Sequence, residues 1–337
     1  MIDQKKTRIG IAFGSGSARG WAHIGIVQAL AQMGIHPDII TGCSIGSIVG
    51  AAYANRRLKD LEQGVSSLSK LELMRYFEIN FSLRGFVNKE RLSNFFTKFM
   101  CDENQQIENL VLPYGAVATD LDTGREVWFT EGKLMDAIWS SIALPGLFAP
   151  FFFKDKWLVD GSLSNPVPVS LCRALGADIV IAVNLSSNVL RNNSNKTTIS
   201  PGVPKPVDDS GDTPKITAIT TPEKNGNKLV SSMAASLREY SSALLPSTSQ
   251  NPSKPAPPTS PSLLDSITGS INIMQDRITR SRMAGDPPDI VLSPRVAHIG
   301  LLEFYRAVEA IEEGQNCVQR MSAEIRTLLP EAASITV

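Results

Sequence analysis

The run Arg8–Ala54, RIGIAFGSGSARGWAHIGIVQALAQMGIHPDIITGCSIGSIVGAAYA, carries the pattern that decides the fold. Arg8 to Phe13 reads as a compact apolar strand, and a glycine-rich turn follows it. Trp21, Ile24, Val27, Leu30 and Ala31 then recur at helical spacing, with Gly34 placed to stop the helix. Asp38 to Thr41 predicts a second short strand, Gly42 to Gly46 a tight turn, and Ile48 to Ala54 an apolar helix start. Strand, turn and helix therefore occur twice in succession, the signature of a layered α/β fold. The alternation continues outward. Tyr114 to Thr119 and Glu126 to Thr130 predict strands joined by the turn Asp122-Thr123-Gly124, Pro166 to Leu175 a helix, and Asp178 to Asn184 a buried β-branched strand.

Gly42-Cys43-Ser44-Ile45-Gly46 is a G-x-S-x-G where a strand ends and a helix begins, the context a nucleophile elbow requires. The turn is so sharp that a side chain at either flank would clash, hence Gly42 and Gly46. Ser44 is thereby presented at a helix N-terminus, where N–H groups favour developing negative charge. The loop Gly14-Ser15-Gly16-Ser17-Ala18-Arg19-Gly20 lets backbone N–H groups crowd toward an anion, which suits an oxyanion hole. A dinucleotide pyrophosphate is the competing use, but the third glycine is one place late for G-x-G-x-x-G, and the next strand ends in the serine turn rather than an acidic ribose ligand. Arg19 has two readings, a phosphate ligand or a tie to a carboxylate.

A serine nucleophile needs a base. The order Ser44…Asp160…His298 is that of α/β-hydrolase triads, but that fold places several strands before its elbow, and here one strand precedes the one leading to Ser44. His298 lies in a polar linker, and His23 and His36 read as packed or turn histidines. Asp160 follows the short apolar strand Trp157-Leu158-Val159, which would deliver Asp160-Gly161 to a turn. With an ordinary pKa near 3.9 it is a weak base, so desolvation and close approach must compensate. The nearby run Leu147–Phe153 is aromatic enough to line an acyl-chain pocket or to form a buried strand.

The remaining composition narrows the classes. The 337 residues are 42% hydrophobic and 20% charged, enough to bury a core, and 33 basic residues balance 33 acidic ones, so a nucleic-acid surface is not expected. Four scattered cysteines and three histidines disfavour disulfide scaffolds and zinc sites. No signal segment and no run of about 18 apolar residues is visible, which predicts a cytoplasmic protein free to touch the inner membrane surface. Residues 186–262 shift to Asn, Ser, Thr, Pro and Lys and read as a flexible insertion between a catalytic domain, 8–185, and a C-terminal segment, 263–337. Within the insertion, Leu229, Met233, Leu237, Tyr240 and Leu244 share a helical face over 228–245, either a core helix or a membrane-contacting lid. Ile267, Ile271, Met274 and Ile278 predict a further amphipathic helix from Leu263. A strand at Ile290 to Leu292 and a terminal helix from about Leu301 follow.

Taken together, the glycine loop with Arg19, the elbow at Ser44, Pro145-Gly146-Leu147-Phe148-Ala149-Pro150 and Asp160-Gly161 resemble the patatin-like phospholipase family. The likeness is greatest to its bacterial RssA-type members. It runs through GWAHIGIVQAL, TGCSIGSIVGAAYA, LDTGREVWFTEG, WLVDGSLSNPVPVSLCRALGADIVIAV and SRMAGDPPDI, and covers nearly everything outside 186–262. The resemblance implies a three-layer α/β/α patatin-like fold with a mainly parallel central sheet. It also implies a serine lipid acyl hydrolase without cofactor or metal, acting on phospholipid or lysophospholipid esters. Ser44 would be the nucleophile, Asp160 the base of a Ser–Asp dyad, and Gly14–Gly20 the oxyanion loop. Two departures stand out. Ser15 and Ser17 replace residues that are often glycine or alanine, and Asp160-Gly161-Ser162 ends in serine where Gly or Ala is usual. A protein that keeps the fold but turns over poorly, serving regulation or lipid binding, is the alternative.

Overall fold

The computed structural model describes residues 7–76, 87–187 and 263–329. The chain divides into two units, Met1–Asn192 with Asn272–Val337, and Asn193–Ile271. The low-complexity stretch from 188 and the helix expected over 228–245 lie outside the described residues.

Five strands form a parallel array in the order β3 (Tyr114–Asp120), β2 (Ile39–Cys43), β1 (Ile9–Phe13), β7 (Ile179–Val183), β8 (Ile290–Leu292). Beyond β3 the sheet turns antiparallel. There β4 (Glu126–Phe129) and β6 (Lys156–Asp160) both pair with β3, and β5 (Phe151–Phe153) closes the edge on β6. Helices follow the strands: α1 (Ala22–Gln32), α2 (Ile45–Ala54), α3 (Leu58–Ser66), α4 (Lys70–Tyr76), α5 (Lys89–Phe99), α6 (Leu134–Ser141), α7 (Val169–Ala174), α8 (Leu263–Gly285), α9 (Ala307–Arg320) and α10 (Ser322–Leu328).

Side chains alternate across a strand, so each buried strand feeds two cores. Ile11, Phe13, Ile40, Ile181 and Val183 join α1, α2, α6 and α9 on one face. Ala12, Ile39, Val180 and Ala182 meet Val169 and Cys172 of α7 on the other. The result is the mixed sheet flanked by helices that the alternating sequence predicts. The terminal helix starts at Ala307 rather than about Leu301 and the second strand runs Ile39–Cys43, and two further boundaries differ for a physical reason. The second helix begins at Ile45 rather than Ile48, because Ser44 itself occupies the cap. α7 begins at Val169 rather than Pro166, because Pro168 caps it and neither proline can donate to a helical bond.

Helix α8 buries a polar stripe. Its inward positions are Asn272, Gln275, Asp276 and Thr279, all buried, whereas Met274, expected in the apolar stripe, is 46% exposed. The reason is what it packs against. Its partners are polar loops, reached through Asn272 to Arg19, Gln275 to Ser162 and Arg282 to the Ser164 carbonyl, so the complementary stripe is polar. No helix among the described residues is long and apolar enough to cross a membrane.

Candidate active site

Sheet register brings Ser44 and Asp160 together. Ala116 and Val117 of β3 pair with β4, and the same two residues pair with β2, so β2 and β4 lie on opposite edges of β3. Ala118 and Thr119 pair with β4 and also with β6, which puts β6 on the same edge as β2. β2 runs parallel to β3 and ends at Cys43 opposite Val117, while antiparallel β6 approaches from the other direction and ends at Asp160 opposite Ala118. The two strands meet end to end, and their next groups face each other across the junction. Ser44 Oγ donates to Asp160 Oδ2 at 2.6 Å.

The elbow is strained in the way a sharp strand-to-helix turn demands. Ser44 sits at φ 55, ψ −124, a region L-residues rarely occupy. Its N–H donates to Ser141 Oγ at 2.9 Å, and Ser47 Oγ returns to the Ser44 carbonyl at 2.6 Å. A Cβ at Gly42 would strike the Gly46 backbone, and one at Gly46 would strike the Phe13 carbonyl, so both flanking glycines are required by close approach. The N–H groups of Ile45 and Gly46 open α2 and have no acceptor among the described residues.

Asp160 is fully buried, and desolvation raises its pKa. Opposing that, Oδ2 accepts from Ser44 and Oδ1 from the Ser162 N–H at 2.8 Å. A Cβ at Gly161 would collide with the Val117 carbonyl, which accounts for glycine there. The neighbouring Cys43 thiol is pushed well up by burial and by the charge of Asp160, so it stays protonated and inert.

The glycine loop is fastened by its flanks. Gly14 N–H donates to Val183 O and Ser15 N–H to Pro166 O, so the fold uses these two donors. Ser17 Oγ and Ala18 N–H both reach the Leu301 carbonyl, and His23 Nε2 donates to Gly14 O at 2.8 Å. The N–H groups of Gly16 and Ser17 are left without an acceptor among the described residues. Within the predicted loop, the donors available to an oxyanion are thus those two. Gly20 serves differently, packing its bare Cα against the Ile45 side chain of the elbow. Arg19 ties to no carboxylate among the described residues. Its Nε donates to Ile299 O at 2.8 Å and its Nη1 to Asn272 Oδ1 at 3.4 Å, and burial lowers it to about 10, still protonated at neutral pH.

The histidines stand apart. His23 packs on Phe13 and is held neutral, its pKa lowered to about 4 by burial. His36 is exposed, and His298 pairs with Glu309 at 2.7 Å on the C-terminal segment. Neither Ser44 nor Asp160 hydrogen-bonds a histidine among the described residues. No cluster of three or more metal-ligating side chains occurs among the described residues. Sequence reading missed Ser141, Gln275 and Asn272, which reach the site from positions 97, 113 and 253 residues away from their partners and carry no local motif.

A serine held on a strained elbow against a buried carboxylate, at the end of a mixed α/β sheet, is an arrangement that can set a serine oxygen beside a carboxylate base. The patatin-like phospholipase model matches residues 11–173. An NTE family protein of Mycobacterium tuberculosis is 30% identical over 323 residues, covering 91% of this chain and 89% of its own length. Mouse patatin-like phospholipase domain-containing protein 7 is 34% identical over 189 residues, 53% of this chain and 14% of its own. Human patatin-like phospholipase domain-containing protein 6 is 30% identical over 189 residues, 53% of this chain and 13% of its own. The chain belongs to the patatin-like phospholipase family, a family of lipid hydrolases.

Proposed function

We propose that the protein is a carboxylic ester hydrolase that cleaves phospholipid or lysophospholipid acyl esters through a Ser44–Asp160 dyad. The observation that carries this reading is the 2.6 Å contact between Ser44 Oγ and Asp160 Oδ2. Ser44 Oγ attacks the ester carbonyl as its proton passes to Asp160 Oδ2. The carbonyl π electrons move to oxygen, and the oxyanion is met by the N–H groups of Gly16 and Ser17, with Ile45 at the start of α2 favouring the same charge. Collapse of the tetrahedral intermediate breaks the ester C–O bond, Asp160 returns its proton to the leaving alcohol, and an acyl-Ser44 remains. Water then attacks the acyl carbon, losing a proton to Asp160, and the fatty acid leaves as Ser44 is reprotonated.

Burial supports a carboxylate in this role. By raising the pKa of Asp160 it narrows the gap to a serine hydroxyl, so proton transfer costs less than it would to a solvated aspartate. A membrane-surface substrate source is supported by the β5–β6 hairpin. Phe152, 55% exposed, lies against Trp157, 48% exposed, and Leu121 and Lys154 are exposed close by. The protein then acts peripherally at the cytoplasmic face of a membrane. Hydrolysis of a chromogenic acyl ester by wild type and Ser44→Ala tests the reading. Turnover by wild type alone supports it; equal turnover by both would place the nucleophile elsewhere than Ser44, and turnover by neither would favour a regulatory or lipid-binding role.

A further inference from the structure

His23, the second residue of α1, is wholly buried against Phe13, and no step of the hydrolysis above uses it. Its Nε2 lies 2.8 Å from the Gly14 carbonyl oxygen, and a carbonyl oxygen only accepts, so Nε2 carries the ring's proton. The neutral ring has one N–H, and Nδ1, also buried, has no partner among the described residues. Stability alone does not account for this side chain. An apolar residue would strand the Gly14 carbonyl, but histidine strands Nδ1 instead, so the fold exchanges one unpaired group for another. What histidine adds is a fixed direction for that carbonyl.

Gly14 is where the glycine loop meets the elbow. A Cβ at Gly46 would lie 2.8 Å from the same Gly14 oxygen that His23 holds, so loop and elbow touch there. The Gly14–Ser15 peptide is planar and fastened at both ends, its C=O to His23 and its N–H to the Pro166 carbonyl at 2.9 Å. Only φ and ψ of Ser15 separate that fixed plane from the one carrying the Gly16 N–H, which has no acceptor among the described residues. We propose that His23 is a positioning residue for the oxyanion hole: through the Gly14 carbonyl it sets where the Gly16 and Ser17 N–H groups stand relative to Ser44. This inference rests on Ser44 being the nucleophile and the glycine loop its oxyanion hole.

A bond that only stabilised the fold would lower the melting temperature without changing the chemistry of the folded molecules, so the test reads catalysis. His23→Phe keeps an aromatic ring against Phe13 and removes the N–H, whereas His23→Gln keeps an N–H at nearly the same reach. On a dispersed short-chain ester His23→Phe is expected to lower kcat about tenfold to a hundredfold with KM little changed, the scale expected when oxyanion donors are misplaced rather than removed. Inhibition by an acyl trifluoromethyl ketone, whose adduct with a serine oxygen bears an oxyanion, should weaken by the same factor. His23→Gln should recover most of the kcat and of the ketone affinity. A folded His23→Phe with wild-type kcat and ketone affinity would overturn the proposal, as would a folded His23→Gln as slow as His23→Phe. Where neither variant folds, histidine nitrogen NMR of wild type carries the test. Nε2 should hold the proton, and its resonance should shift when the ketone adduct forms. A proton on Nδ1, or an Nε2 signal indifferent to the adduct, would overturn the positioning role. Ser44→Ala, measured beside them, separates the two levels. An inactive Ser44→Ala with a normal His23→Phe defeats the positioning role alone, and a Ser44→Ala as active as wild type defeats the nucleophile assignment and this inference with it.

Discussion

Replacing Asp160 by asparagine changes the proposed Ser44–Asp160 dyad by one functional group and little volume, and the structure predicts what each bond does next. The amide oxygen can keep the Ser162 N–H that now sits 2.8 Å from Oδ1. The amide nitrogen then takes the place of Oδ2, 2.6 Å from Ser44 Oγ, where it donates a hydrogen bond and cannot accept a proton. Loss of general-base assistance costs about 10²–10⁴ in kcat, or about 3–5 kcal/mol of barrier. KM should stay near wild type, because the base acts on the serine and not on the bound ester. Stability should move the other way. Burial raises the folded pKa of Asp160, so its contribution to stability is fully present below the unfolded value near 3.9 and is lost as pH rises through the folded value. At neutral pH the wild type therefore carries a buried charge that the variant lacks. Asp160→Asn should melt above wild type at pH 7, with the gap shrinking as the pH falls toward 4. Stopped-flow or steady-state hydrolysis and thermal melts across that range make the measurement. A kcat within threefold of wild type, or a melting gap that widens in acid, would refute the reasoning.

Three further outcomes follow from the same geometry. His298→Ala should leave kcat within about twofold in the same ester assay, because removing a half-exposed contact with Glu309 is worth at most about 1 kcal/mol of stability and touches no reacting atom. Gly16→Ala places a Cβ 2.6 Å from Leu185 Cδ1, so the loop or Leu185 must shift; kcat should fall about tenfold to a hundredfold with KM little changed, as expected when oxyanion donors move while ground-state binding does not. Phe152→Ser with Trp157→Ser should weaken sedimentation with anionic phospholipid vesicles and slow hydrolysis of vesicle lipid, while turnover of a dispersed short-chain ester persists, because both rings are exposed and their loss opens no core.

Much of this was legible from the chain because the decisive signals are local. The elbow is five consecutive residues between a strand and a helix, and the glycine loop is seven residues after another strand, so periodicity and turn chemistry locate both. Asp160 was reachable because a short apolar strand runs directly into it. The head-on meeting of β2 and β6 was not legible, since it depends on which edge of β3 each strand chooses, and nothing within either strand encodes that choice. The polar stripe that α8 buries was not legible for a related reason. Hydrophobic periodicity assumes an apolar partner, and this helix packs on polar loops. Which loop N–H groups remain for an oxyanion likewise depends on distant carbonyls at Val183 and Pro166.

Covalent labelling tests the central claim most directly. A fluorophosphonate forms a stable bond to an activated serine oxygen, and peptide mass spectrometry locates it. Wild type should carry one adduct, on Ser44; Ser44→Ala should carry none, and Asp160→Asn should label at least a hundredfold more slowly if the buried carboxylate is the base, within the range of about 10²–10⁴ for lost general-base assistance. An adduct on any other residue, or labelling of Asp160→Asn at the wild-type rate, would contradict a Ser44–Asp160 dyad.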